Sequence, residues 1–251
     1  MNRTINKQRE KTRKLVIVGM LSGICVFLGL TGLGFIEIPP VKATILHVPV
    51  IIGALIDGPV IGALVGLVFG IFSIYQAFAV PTVTSFIFWN PIIAVIPRIL
   101  IGIFSYYAYK WALKAANKSL LLTSIFSSAL AGTLLFLLLV SFIGIDISAI
   151  IGIIIFIVLL TFLVRYKNKR KKEMLSIGLA ATVGTLTNTI GVLGLTYIFY
   201  LDRFAQALHV STKLATASII GIGISNGIPE IIASILISIP VVMAVQRIRR
   251  R

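Results

Sequence analysis

Five polar or ionisable side chains lie within long apolar stretches of this sequence, where burial in lipid without partners would be costly. They are Arg98, Asn188, Asn226, Glu230 and His47. An arginine fork can bind an anion through paired hydrogen bonds, and an asparagine amide both donates and accepts. Asn226 and Glu230 are four residues apart and therefore share a helix face. The set predicts a cavity for a small polar ligand, with Arg98 holding an anionic group.

Two other interpretations of these residues remain open. Arg98 and Glu230 could pair with each other as a structural salt bridge, because buried charges are usually paired. His47 lies near the predicted outer end of its apolar run, where a histidine is often an interfacial residue rather than a ligand group. The sequence alone does not decide between these interpretations and a binding site.

No motif of a soluble or intramembrane enzyme is present. The chain lacks the G-x-x-x-x-G-K-[ST] loop for ATP, the H-E-x-x-H metal motif and the serine elbow. Asp57, Asp146 and Asp202 all fall at the ends of apolar runs, so they form no catalytic pair within a span. Cys25 is alone, which excludes a disulfide framework. We expect neither an enzyme nor a bound cofactor or metal.

Composition places the chain in a membrane. Of its 251 residues 58% are hydrophobic and 12% charged, and the mean hydropathy is +1.07. A soluble domain is nearer half apolar and a quarter charged, so the surplus apolar surface must face lipid. The 23 Lys and Arg against 7 Asp and Glu sit in short clusters between apolar runs. Because no soluble face gathers these charges, we expect no nucleic-acid binding.

Eight apolar runs predict an all-α membrane protein, since a helix of about 20 residues spans the hydrocarbon core. The runs cover roughly 15–33, 43–56, 59–75, 91–109, 119–142, 148–164, 174–200 and 215–245. The second run is short, and Pro49 is expected to kink it. Asp57-Gly58-Pro59 predicts a tight turn before the third run. The first run is expected to remain as a membrane anchor.

The positive-inside rule gives an orientation for eight spans with both termini cytoplasmic. The inside segments are then 1–14, 57–58, 110–118, 165–173 and 246–251. Only Lys42, Arg203 and Lys213 fall in outside segments. This orientation predicts a multi-pass protein of a cytoplasmic-type membrane.

Two outside loops and one small-residue pattern each allow two interpretations. Loops 34–42 and 76–90 are aromatic and contain proline, so they either cover the outer mouth of the bundle or lie at the interface with Phe88 and Trp89 in the aromatic belt. Gly19 and Gly23 form a small-xxx-small pattern in the first span. That pattern serves either internal packing or docking of a partner helix.

Several motifs resemble the substrate-binding (S) components of energy-coupling-factor (ECF) vitamin transporters. The resemblance begins with Thr44-Ile45-Leu46-His47-Val48-Pro49 and continues through Gly58-Pro59, Gly62 and Gly66 to Gly70. The motifs Asn90-Pro91, Ile96-Pro97-Arg98 and Gly184 to Thr189 are similar to the pantothenate-type branch. Asn90 is accordingly counted among the candidate substrate-binding residues.

The resemblance implies a six-helix core, so two of the eight predicted spans are an addition. We expect the first half of the core at 1–118, an inserted two-helix hairpin at 119–173 and the second half at 174–251. An S component binds its vitamin from outside and then joins a transmembrane coupling subunit and two cytosolic ATPase subunits, which hydrolyse the ATP. The resemblance assigns Gly19 and Gly23 to docking on the coupling subunit, and loops 34–42 and 76–90 to gating.

The sequence leaves the transported molecule open. Pantothenate is favoured because Arg98 could meet its carboxylate, while pyridoxine, hydroxymethylpyrimidine and cobalamin remain alternatives. A second class of function is a self-sufficient, ion-coupled carrier for a small anionic metabolite. Such a carrier would transport without ATPase partners, whereas an S component would not.

Overall fold

The computed structural model describes residues 2–38, 41–165 and 169–249, and these form eight α-helices and one short β-ribbon. The helices are α1 Asn2–Thr31, α2 Val48–Asp57, α3 Pro59–Ala79, α4 Pro91–Lys118, α5 Leu120–Ile143, α6 Ile145–Arg165, α7 Lys169–Ala207 and α8 Thr212–Arg249. Six of them are long and apolar enough to cross a membrane: α1, α3, α4, α5, α7 and α8. Helix α2 and the apolar part of α6, Ile145–Thr161, are shorter.

The segment expected to be the first outer loop is a two-stranded antiparallel ribbon, which the all-α prediction did not include. Strand β1 is Phe35–Ile38 and strand β2 is Val41–Thr44, with Phe35 opposite Thr44. Branched and aromatic residues favour this extended backbone. Residues 39–40 of the predicted loop lie outside the described residues, as do 166–168 of the basic segment 165–173.

Helix α2 begins later than the apolar run predicts, and the expected kink at Pro49 is wrong. The ribbon occupies the chain up to Thr44, so the helix starts only at Val48. Pro49 then falls in the first turn, where a helix does not need its N–H. With ten residues α2 is only about 15 Å long, and its residues 48–55 are all buried. The core of the bundle forms around this short helix.

Asp57 at the end of α2 joins three distant segments. Its side chain is 2% exposed and pairs with Arg13 of α1 at 3.0 Å and with Arg249 of α8 at 2.7 Å. Arg249 also donates from Nη1 to the carbonyl of Ile56 at 2.8 Å. The tight turn at Gly58, with φ +99°, then starts α3. These contacts place the described N-terminal helix, the α2–α3 turn and the end of α8 at one end of the bundle.

Helices α5 and α6 form a hairpin that packs mainly on itself. Gly132 and Gly152 lie against each other across the two helices, and a Cβ on Gly132 would approach the Gly152 carbonyl oxygen to 2.8 Å. Many isoleucines of α6, including Ile150, Ile153 and Ile157, are more than half exposed in the isolated chain. An apolar exposed helix face of this kind suits contact with lipid.

Candidate substrate-binding site

His47 lies deep in the bundle rather than at the interface. It is fully buried immediately before α2, about 15 Å along the helix from the end marked by Asp57. Its Nε2 is 2.9 Å from the hydroxyl of Thr185 in α7. Its Nδ1 makes no hydrogen bond, although the backbone of Thr44 is close to the ring. One ring nitrogen of the imidazole is therefore held by Thr185, and the other can form a hydrogen bond with a ligand.

Arg98 is positioned by the proline that precedes it. Pro97 has no N–H, so the carbonyl of Ile93, four residues earlier, has no helical donor. The Nη1 of Arg98 donates to this carbonyl at 2.8 Å. The guanidinium carbon lies 5.3 Å from the ring centre of Phe69 and 5.2 Å from that of Phe88. Arg98 is 5% exposed, and its Nε makes no hydrogen bond.

Helix α7 presents three polar residues on one face. Thr185, Asn188 and Thr189 are spaced by three and four residues, so they lie on the same side of the helix. Asn188 is 6% exposed, and its Oδ1 has no hydrogen-bond partner. Thr189 packs against Gly227 of α8, where an added Cβ would meet its methyl group at 3.5 Å. This face therefore carries buried acceptors toward α2 and α8.

Helix α8 contributes a carboxylate and an amide. Glu230 is 4% exposed, and its Oε1 accepts a hydrogen bond of 2.8 Å from the backbone N–H of Thr44 in β2. Thr189 lies near the carboxylate, but its hydroxyl makes no hydrogen bond of acceptable geometry. Asn226 is half-buried one turn earlier on the same face. The predicted sharing of one face by Asn226 and Glu230 follows from this unbroken helix.

Arg98 and Glu230 do not form the salt bridge that was one interpretation of the sequence. Both side chains are within the described part of the chain, and no ion pair joins them. They are close enough to interact electrostatically. Two buried opposite charges that do not meet are costly unless other polar groups compensate them. The arrangement therefore suits a ligand that supplies those groups.

Asn90 has a different position from the other candidates. It is the N-cap of α4, where its Oδ1 accepts from the N–H of Ile92 at 3.0 Å. Its Nδ2 donates to the hydroxyl of Tyr200 at 3.4 Å. An asparagine followed by proline is a common helix start. The structure thus gives Asn90 a capping role at the start of α4.

The segment before α4 packs over Arg98. It contains a turn of 3₁₀ helix, Ser85–Ile87, whose three residues are buried. Phe86 packs edge-to-face on Tyr200 and lies under the guanidinium of Arg203 at 4.5 Å. Phe88 lies over Arg98, whereas Trp89 is 45% exposed and stacks on Phe78.

The motif around Asn188 contains two further candidate site residues, Thr185 and Thr189, that were not predicted from the sequence. Thr185 and Thr189 were quoted only as part of a motif, although their spacing from Asn188 placed them on its helix face. Phe69 and Thr44 carried no comparable signal, because they reach the site from α3 and from the ribbon. Among the residues that the structure describes, no group of three or more His, Cys, Asp or Glu side chains is arranged to hold a metal ion.

Gly19 and Gly23 lie on an open face of α1. A Cβ built on either glycine meets no atom within 4 Å, and both residues are exposed. The interpretation that they serve internal packing is therefore wrong. No residue that the structure describes packs against this small-residue surface.

Comparison with known proteins decides the family. The model of the ECF transporter substrate-specific component matches residues 13–152 and 137–242, which together cover most of the chain. The chain belongs to this family of ECF substrate-specific components. The two matched segments overlap inside the α5–α6 hairpin. The family consists of transporter subunits rather than enzymes, and with six apolar helices this S component is a multi-pass protein of the cell membrane.

A curated relative is similar over most of its length. The pantothenic acid transporter PanT of Lactococcus lactis subsp. cremoris (strain MG1363) is 35% identical over 210 residues. The matched region covers 84% of this S component and 81% of the relative. The similarity therefore extends across the fold and is not restricted to one motif.

Proposed function

We propose that this S component binds pantothenate with high affinity as the substrate-binding subunit of an ATP-driven ECF importer. Family membership and similarity to a pantothenic acid transporter support the proposal. The observation that carries it is the buried, unpaired guanidinium of Arg98. A cation at that depth requires an anionic or strongly polar partner.

Arg98 is proposed to hold the pantothenate carboxylate through one edge of its guanidinium. Nη1 is engaged by the Ile93 carbonyl, while Nε makes no hydrogen bond. The edge formed by Nε and Nη2 matches the two oxygens of a carboxylate. Phe69 and Phe88 flank the guanidinium and would exclude water from this pair. The low local dielectric would strengthen the interaction.

Asn188, Asn226 and His47 are proposed to bind the uncharged part of the vitamin. Pantothenate carries one amide and two hydroxyl groups besides its carboxylate. Asn188 Oδ1 and His47 Nδ1 make no hydrogen bond within the chain, and Nδ1 is an acceptor when Nε2 carries the proton toward Thr185. An amide N–H or hydroxyl could donate to each of them. Asn90, as a helix cap, would act on the site only by holding the start of α4.

The proposed assembly has eight helices that enter the membrane, with both termini in the cytoplasm. The contacts of Asp57 with Arg13 and Arg249 support a shared side for those segments. The exposed Gly19 and Gly23 would dock on a transmembrane coupling subunit. That subunit would connect to two cytosolic ATPases, so this chain itself needs no cofactor. The α5–α6 hairpin would be an insertion at 119–173 in a six-helix core.

Binding measured on the purified protein tests the proposal. Isothermal titration should show tight binding of pantothenate and much weaker binding of its alcohol analogue, in which CH₂OH replaces the carboxylate. Arg98→Ala should weaken pantothenate binding by about 100-fold or more, because a buried charge loses its partner. Arg98→Lys should restore only part of this loss, since an ammonium lacks the planar fork.

The control is the alcohol analogue, whose affinity should change little in Arg98→Ala. An equal loss of affinity for both ligands would show that Arg98 does not bind the carboxylate. Failure of the folded wild-type protein to bind pantothenate would overturn the proposed substrate. In liposomes, net uptake by this chain without ATPase partners would instead indicate the ion-coupled carrier.

A further inference from the structure

Glu230 connects the interior of the site to the outer ribbon. Its Oε1 accepts from the backbone N–H of Thr44 at 2.8 Å, across 186 positions in sequence. Thr44 ends strand β2, and its hydroxyl both donates to the carbonyl of Gly34 at 3.3 Å and accepts from the N–H of Leu46 at 3.2 Å. Thr44 therefore organises the junction between the ribbon and the segment that leads to His47. The carboxylate of Glu230 is attached to this junction.

The carboxylate has unused capacity for hydrogen bonds. An ionised carboxylate offers about four lone-pair positions, and Thr44 occupies one of them. Glu230 forms no ion pair in the described chain, although only 4% of the residue is exposed. A buried carboxylate with a single neutral donor is poorly compensated. Its remaining oxygen needs donors, because the hydroxyl of Thr189 lies near the carboxylate but makes no hydrogen bond of acceptable geometry.

Arg98 and Glu230 thus offer two opposite charges that interact electrostatically but form no ion pair. Arg98 offers donors at one pole, and Glu230 offers acceptors at the other. A ligand that fits both must carry an anionic group at one end and hydrogen-bond donors at the other. This complementarity also sets an orientation, because a reversed ligand would place its carboxylate against Glu230.

We propose that Glu230 accepts hydrogen bonds from the hydroxyl end of the ligand and, through its second oxygen, holds the outer ribbon at Thr44 over the occupied site. The substrate class is a small monoanion with hydroxyl donors remote from its carboxylate. The inference rests on the proposed function, because it takes the site around Arg98 as the ligand site. Glu230 is then a specificity-determining residue, and it couples occupancy to the position of the ribbon.

The test compares pantothenate with a deoxy analogue, in which hydrogen replaces the hydroxyls remote from the carboxylate. Wild-type protein should bind pantothenate about tenfold to hundredfold more tightly than the deoxy analogue, as expected for hydrogen bonds to a charged acceptor. In Glu230→Gln this ratio should fall to within about threefold of one. The glutamine oxygen still accepts from Thr44, so the ribbon contact persists and the variant retains a similar shape. Asp202→Asn removes an exposed carboxylate and should leave the ratio unchanged.

Hydrogen exchange measures the coupling to the ribbon. Pantothenate should slow amide exchange in residues 41–46 of the wild-type protein, and it should do so more weakly in Glu230→Ala, which cannot hold Thr44. Thermal unfolding without ligand shows whether Glu230→Ala folds. If it does not fold, the ratio of pantothenate affinity to deoxy-analogue affinity in Glu230→Gln tests the inference instead. A ratio in Glu230→Gln equal to that of the wild type would overturn the inference. The inference would also be overturned if pantothenate slowed amide exchange in residues 41–46 equally in the wild-type protein and in a folded Glu230→Ala variant.

These results separate the inference from the proposed function. If only the role of Glu230 is incorrect, pantothenate still binds and still depends on Arg98. If the proposed function is incorrect, the wild-type protein binds neither pantothenate nor the deoxy analogue.

Discussion

Gly66 of α3 lies directly against the backbone carbonyl of Arg98 in α4. A Cβ on Gly66 would collide with that carbonyl oxygen and come within 3.2 Å of the Cα of Ile99. Gly62 and Gly70, one turn away on either side, make similarly close approaches to Gly102 and Val95. The three glycines, spaced by four, let α3 and α4 pack backbone to backbone. The position of Arg98 therefore depends on the absence of a side chain on the neighbouring helix.

Gly66→Ala should move α4 away from α3 and displace Arg98. We expect thermal unfolding at a lower temperature and a pantothenate affinity at least tenfold weaker, because backbone atoms cannot move aside locally. Calorimetric titration and thermal unfolding in detergent measure the two effects. Gly194→Ala is the matched control, since nothing lies within 4 Å of its Cβ and alanine favours a helix by about 0.5–1 kcal/mol. Wild-type behaviour of Gly66→Ala would contradict this packing.

Asp57→Asn should loosen one end of the bundle and leave the ligand site intact. The buried carboxylate is shared by two arginines that are themselves partly exposed, so we expect a loss of about 1–2 kcal/mol. Chemical or thermal unfolding measures the change, and titration should show unchanged pantothenate affinity. Arg249→Ala combined with Asp57→Asn should cost less than the sum of the single changes. Additive losses would show that this ion pair contributes no coupling energy.

Leucine at Gly19 or Gly23 should separate binding from transport. Both positions are open within the chain, so a larger side chain should not disturb the fold or the vitamin affinity. It should obstruct docking of the coupling subunit and reduce ATP-dependent uptake at least tenfold in proteoliposomes. Gly221→Leu, at an equally open position on α8, is the control and should transport normally. Equal loss of binding and uptake would contradict a docking role.

Removal of the α5–α6 hairpin should preserve vitamin binding. The Nζ of Lys172 donates to Oδ1 of Asn117 at 3.2 Å, so the end of α4 and the start of α7 are adjacent. Deleting 119–168 and inserting a short Gly-Ser linker should therefore leave the core connected in its native order. We expect lower stability, because α5 also contacts α4, α7 and α8, but an affinity within about threefold. Unfolding or aggregation of the purified variant would show that the hairpin is part of the core.

The apolar runs predicted the long helices well, because the hydrocarbon thickness imposes a length that hydropathy alone reveals. The second run was less informative. Its first residues belong to β2, and Pro49 starts α2 rather than bending it. A run of apolar residues does not indicate whether backbone hydrogen bonds will be made within a helix or across a ribbon. The predicted outer loop accordingly became part of a ribbon whose last residue, Thr44, donates a hydrogen bond to Glu230.

By itself the sequence determined that a cation at position 98 and a carboxylate at position 230 would be buried, because both interrupt apolar runs that lipid must surround. It also carried the motifs that indicated the family. Only the tertiary structure decided that these charges stay apart, that Pro97 frees a carbonyl for Arg98, and that Glu230 binds Thr44. The physical reason is that the free-energy cost of burying a charge depends on the residue's own chemistry. Whether two buried charges pair depends instead on the distance in space between side chains on helices that are far apart in sequence.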